Sequence, residues 1–151
     1  MKPLTNLDII EICKVLKINN FKGVYMRDEL KGKANPNESL ILNMDESSGN
    51  GTHWTCLFVT KNCSYYFDSF GLPPPKEVIS YCPNTELYKY RADALCSEAK
   101  PNTRYYNTFK IQKPEEVICG HYCIYVLYKL SNSNKRVSQF YNICFQLLNT
   151  K

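Results

Sequence analysis

Apolar positions along this chain change period several times, and the changes mark its elements. Near the N-terminus Ile9, Ile10, Ile12, Cys13 and Leu16 recur at helical spacing. Thr5-Asn6-Leu7-Asp8 before them has the form of a capping box, with Asp where Glu or Gln is preferred. The pattern predicts a first helix ending near Lys17, broken by Asn19-Asn20. Phe21 to Leu30 reads as a connecting segment with some extended character, and Lys31 to Ser39, polar with Gly and Pro, as a surface loop. Ser39 to Met44 is a short buried strand, followed by a polar, glycine-containing turn from Asp45 to Gly51. His53 to Thr60 and Ser64 to Asp68 are both rich in aromatic and β-branched residues. Only Lys61-Asn62-Cys63 separates them, which predicts a β-hairpin.

Ser69 to Pro75 forms a rigid turn, and Lys76 to Cys82 a short helix with Val78, Ile79 and Tyr81 inward. Pro83 to Thr103 gives no clear pattern. Arg104 to Ile111 predicts a strand that delivers Gln112 to its end. A polar loop then runs into Cys119-Gly120, and the apolar run Ile124 to Leu130 predicts a buried helix beginning at or near Cys119. A last helix, about Arg136 to Asn149, turns Val137, Phe140, Tyr141, Ile143, Cys144, Leu147 and Leu148 inward. No repeat or linker interrupts these elements, so they predict one α+β domain spanning residues 1–151.

Composition narrows the function classes. A net charge of +5 permits a polyanionic partner, but no Lys/Arg run or stripe concentrates it. Eight cysteines would fit a secreted disulfide scaffold, yet Asp8 and Glu11 interrupt the only N-terminal apolar stretch, so no signal-peptide core is expected. Cys13, Cys56, Cys123 and Cys144 sit inside apolar patterns, where a free thiol behaves as a small hydrophobe. The cysteines are read as reduced and the protein as intracellular. No apolar run approaches the roughly 18 residues of a membrane span.

Candidate chemistry centres on Cys119. A cysteine at a helix start meets unpaired N–H groups and the positive end of the helix dipole, both of which favour a thiolate. A nucleophilic cysteine needs a base, and the chain has only two histidines. His121 would leave another side of the same helix, so His53 is the candidate. In the predicted antiparallel hairpin His53 opens the first strand and Asp68 closes the second, at the same open end. Cys119 would then attack a carbonyl, with His53 carrying the proton and Asp68 fixing the imidazole. Gln112 would donate to the oxyanion beside the Cys119 backbone N–H.

Gly51-Thr52-His53-Trp54, Tyr66-Phe67-Asp68-Ser69-Phe70-Gly71, and Gln112 followed by Cys119-Gly120 resemble the adenovirus maturation proteinase (adenain) family. The resemblance is closer still to its virophage and Polinton-type members, and more distant to the ubiquitin-like-protein proteases. It covers almost the whole chain, including the first helix and Phe21 to Tyr25. It implies a papain-like cysteine protease core, a central mixed sheet flanked by helices, with catalytic residues in the permuted order His53, Asp68, Gln112, Cys119. It further implies endopeptidase cleavage of viral capsid or core precursors, with small residues, especially glycine, at and before the cut. Trp54 and Gly120 would bind substrate, the Trp54 ring walling a groove that admits only glycine. No cofactor is expected, and the protein would work as a monomer in the host-cell cytoplasm or nucleus and in the virion. Adenain has Glu where this chain has Asp68, while the ubiquitin-like proteases have Asp. Adenain also bonds an activating peptide to a cysteine at a position that is Pro101 here, the nearest thiol being Cys96. An activating peptide or DNA remains a partner that the resemblance allows.

Other readings stand beside this one. Taken singly, Cys119 is a core thiol, His53 a polar strand end, Asp68 a turn residue and Trp54 simple core. The same chemistry applied to ubiquitin-like modifiers would make an isopeptidase, and the fold with its chemistry silent a protein-binding module. A zinc site from His53, Cys56, Cys119, His121 and Cys123 is disfavoured, since ligands at i, i+2 and i+4 on one helix do not converge tetrahedrally.

Overall fold

A computed structural model of the chain describes residues 2–61, 63–82, 86–89, 103–113, 116–133 and 136–149. Cys96, Pro101 and Pro114, most of the stretch from Pro83 to Thr103, and the side chain of Val137 lie outside the described residues. The architecture is α+β, a mixed sheet flanked by helices. In chain order the elements are α1 (Asn6–Val15), β1 (Phe21–Met26), a 3₁₀ turn (Arg27–Glu29), β2 (Glu38–Asn43), β3 (Trp54–Val59) and β4 (Cys63–Phe67). There follow α2 (Lys76–Tyr81), β5 (Glu86–Lys89), β6 (Thr103–Tyr106), α3 (Cys119–Ser131) and α4 (Arg136–Asn149).

Among the described residues six strands run in the order β1-β2-β3-β4-β6-β5. β2, β3 and β4 form an antiparallel meander, while β1 joins β2, and β5 and β6 join β4, in parallel. Both faces of the meander are covered. Ile41, Cys56, Phe58, Tyr65 and Phe67 point to a core shared with α1, α3 and α4. Their neighbours Leu40, Leu42, Leu57, Val59 and Tyr66 point to a second core under α2. Burial on both sides is why β2 to β4 read as continuous apolar runs rather than alternating ones.

Several expected features recur. The Thr5 hydroxyl accepts from Asp8 N at 3.1 Å and the Asp8 carboxylate accepts from Thr5 N at 3.0 Å, a reciprocal capping box built with Asp. Three expectations need correction. Phe21 to Met26 is a paired edge strand rather than a connector; its half-buried residues lack the alternation that announces a strand. The strand expected over Arg104 to Ile111 pairs only through Tyr106, because beyond it the Asn107 side chain takes over the hydrogen bonding. Ile79, expected inward on α2, is 43% exposed, while Val78 and Tyr81 are buried.

Candidate active site

The topology gathers one end of the sheet. β3 starts where antiparallel β4 ends, and β6, parallel to β4, ends there too. His53 immediately precedes β3 and Asp68 immediately follows β4. Their side chains meet, His53 Nε2 lying 2.7 Å from Asp68 Oδ1, with Asp68 buried. The same carboxylate oxygen accepts from Phe70 N at 2.8 Å, and the Phe70 ring stacks on the imidazole with centroids 4.4 Å apart. With Nε2 on Asp68, Nδ1 is the ring nitrogen left for Cys119.

Cys119 is the first residue of α3, and Trp54 N donates to its sulfur at 3.4 Å. Burial pushes the Cys119 thiol up, but hydrogen bonding from His53 and from Trp54 N, with the charge of His53, outweighs it and holds the thiol below its ordinary value. Burial likewise pulls His53 down. The hydrogen bonds with Asp68 and Cys119, and the charges of both, overcome that and push it up to about 9. Both displacements favour a thiolate–imidazolium pair near neutral pH.

Gln112 is buried at the end of the segment leaving β6. Ile111 N and Gln112 N both donate to Ser69 O, at 2.8 and 2.9 Å, which folds this segment onto the Asp68 turn. The Ser69 hydroxyl donates to Gln112 Oε1 at 2.6 Å, while Gln112 Nε2 donates to Glu116 O at 2.6 Å. This fixes the amide with its nitrogen turned away from Ser69, and leaves its second N–H for a ligand. A cleft of about 890 Å³ opens beside these groups, lined by His53, Trp54, Gln112 and Cys119 together with the N-terminal stretch 3–6 and the loop 49–52.

His53, Asp68, Gln112 and Cys119 thus come together. Trp54 lines the cleft, its Nε1 donating to Leu4 O at 3.1 Å, which pins the indole to the N-terminal segment. Gly120 is placed otherwise. It is buried off the cleft, where an added Cβ would meet Trp54 Cδ1 at 3.2 Å, Leu4 Cβ at 3.4 Å and Ile9 Cδ1 at 3.5 Å. Its missing side chain makes room for Trp54, Leu4 and Ile9. Comparison with protein-family models and with curated proteins gives no match for this chain. Among the described residues no three His, Cys, Asp or Glu side chains gather as metal ligands.

Two residues that hold this arrangement in place escape sequence reasoning. Asn107, fully buried, accepts from Asp68 N at 3.1 Å and donates to Asp68 O at 2.6 Å, so its amide stands in for a strand partner just where β4 must end. Ser69 orients Gln112 through both backbone and hydroxyl. Both act on backbone or amide groups; in the sequence Asn107 falls inside the expected strand Arg104 to Ile111 and Ser69 in an expected turn, and neither residue type announces such a role.

Proposed function

We propose that this chain is a cysteine endopeptidase of papain-like architecture that cleaves viral capsid or core precursors at glycine-containing sites. The observation that carries the chemistry is the geometry: Cys119 at a helix start with the Trp54 N–H on its sulfur, and buried Asp68 2.7 Å from the far ring nitrogen of His53. The viral precursor substrate and the glycine preference rest on the resemblance of the His53-Trp54, Asp68-Ser69-Phe70-Gly71 and Gln112/Cys119-Gly120 motifs.

The Cys119 thiolate attacks the scissile carbonyl carbon, forming a C–S bond and placing negative charge on the carbonyl oxygen. The free N–H of Gln112 and the Cys119 backbone N–H, which has no intrahelical acceptor, receive that charge. The His53 imidazolium gives its Nδ1 proton to the departing amine as the C–N bond breaks. Neutral His53 then takes a proton from water as the water attacks the thioester, releasing the acid and restoring the ion pair. Asp68 keeps the imidazole in register through both steps.

The test is cleavage of peptides carrying Gly-Gly or Ala-Ala at the cut, with Cys119→Ala as blank. The Gly-Gly peptide should be cut and the other left intact, and a peptide vinyl sulfone should add covalently to Cys119 alone. Release of ubiquitin-like modifiers without peptide cleavage would replace this reading with an isopeptidase. Absence of any adduct at Cys119 would remove the enzyme reading.

A further inference from the structure

β4 has to leave the sheet after Phe67 to bring Asp68 to His53, and its departure strands one residue of β3. Met44 N donates to His53 O at 2.8 Å, so His53 and Met44 are a hydrogen-bonded pair of the β2–β3 ladder. By the ladder's alternation the next pair, Asn43 and Trp54, turn their backbone groups away from each other. Trp54 N–H and C=O therefore face the β4 side. The register there ends at Cys56 with Phe67, and would set Trp54 against Ser69. Ser69 is already committed, its carbonyl accepting from Ile111 and Gln112.

Two thiols fill the gap. Trp54 N donates to Cys119 Sγ at 3.4 Å, and Cys123 Sγ, one helical turn further along α3, donates to Trp54 O at 3.4 Å. Residues four apart on a helix lie on one face, so α3 docks its thiol pair where a strand would have been. The two sulfurs do opposite jobs. Cys119 accepts a hydrogen bond, as a thiolate does well. Cys123 donates one, which requires the neutral S–H.

We infer that Cys123 is a positioning residue for the nucleophile: its S–H clamps the Trp54 peptide so that the Trp54 N–H stays aimed at the Cys119 sulfur. This rests on the cysteine protease reading. Full burial holds the Cys123 thiol well above its ordinary pKa, so it keeps its proton over the whole range in which Cys119 ionises. A buried thiol inside an apolar helix looks like packing alone, but packing alone would be served as well by Ala or Val.

The test is the thiolate ultraviolet absorbance of Cys119 against pH, taken as the difference from the matching Cys119→Ala background, together with kcat and KM on one peptide. It is run on wild type, Cys123→Ala, Cys123→Val and Cys123→Ser, each first shown to unfold cooperatively. Ala and Val should shift the Cys119 ionisation upward and lower kcat about three- to tenfold with KM unchanged, the range one neutral hydrogen bond supplies. Ser, which keeps a donor, should stay nearer wild type than either. Ala and Val titrating like wild type, or Ser matching Ala, would overturn the role given to Cys123 while leaving the protease reading standing. A wild type with no Cys119 thiolate below the ordinary thiol range would overturn the protease reading itself.

Discussion

Replacing Asp68 by Asn removes one charge and almost no volume, which makes it a clean probe of how the ion pair is maintained. Asp68 Oδ1 receives two hydrogen bonds, from His53 Nε2 at 2.7 Å and Phe70 N at 2.8 Å, and the residue is 1% exposed. An Asn oxygen can occupy the same place and keep both contacts, so the turn should survive. What is lost is the difference between a charged and a neutral hydrogen bond to His53, about 1–1.5 kcal/mol. Expressed in the transition state that is roughly a five- to tenfold fall in kcat/KM. The pH profile is the sharper readout. His53 stands at about 9 against an ordinary 6.5 because Asp68 and Cys119 overcome its burial. With Asp68 neutral, burial regains weight and the alkaline limb of the activity profile should move down from about 9. The stability effect follows the same sign. A raised imidazole pKa contributes stability that is complete below 6.5 and lost as pH rises through about 9, so the gap in Tm between wild type and Asp68→Asn should shrink across that interval. Full wild-type turnover with an unmoved alkaline limb would remove Asp68 from the mechanism.

Gln112→Ala should lower kcat by about a hundredfold or more with the Cys119 ionisation unchanged, as expected for loss of one oxyanion donor, and steady-state kinetics with thiol titration checks it. Ser69→Ala, which frees Gln112 Oε1 from its 2.6 Å bond, should lower kcat less than Gln112→Ala does, and should add little when combined with it. Gly71→Ala should destabilise the fold. Its φ of +74° alone costs a side chain about 1–3 kcal/mol, and the new Cβ would lie 2.8 Å from backbone atoms of Thr108 and Phe109; thermal unfolding measures it.

The parts of this site that were legible in the sequence are those where side-chain pattern alone fixes geometry. Two aromatic and β-branched runs a few residues apart can only pair as a hairpin, and that pairing carries His53 to Asp68. The apolar run after Cys119 likewise announces α3. The illegible parts depend on backbone groups or on distant partners. β1 pairs in parallel across a long connection, so no local turn betrays it. Asn107 acts through its side-chain amide on the backbone of distant Asp68, and Ser69 through its carbonyl and hydroxyl on the segment around Gln112, pairings that no local pattern announces. The resemblance implies a substrate contact at Gly120, and only the folded packing reveals that its missing side chain accommodates the Trp54 ring, Leu4 and Ile9.

Everything proposed for the chemistry depends on an ion pair between Cys119 and His53 in the resting protein. Limiting iodoacetamide applied to the native chain from about pH 5 to 9, with peptide mapping of all eight cysteines, tests it most directly. Cys119 should label first and already react well below the ordinary thiol range, and His53→Ala should abolish this advantage. Labelling of Cys119 with an ordinary thiol pH dependence, unaffected by His53→Ala, would contradict it.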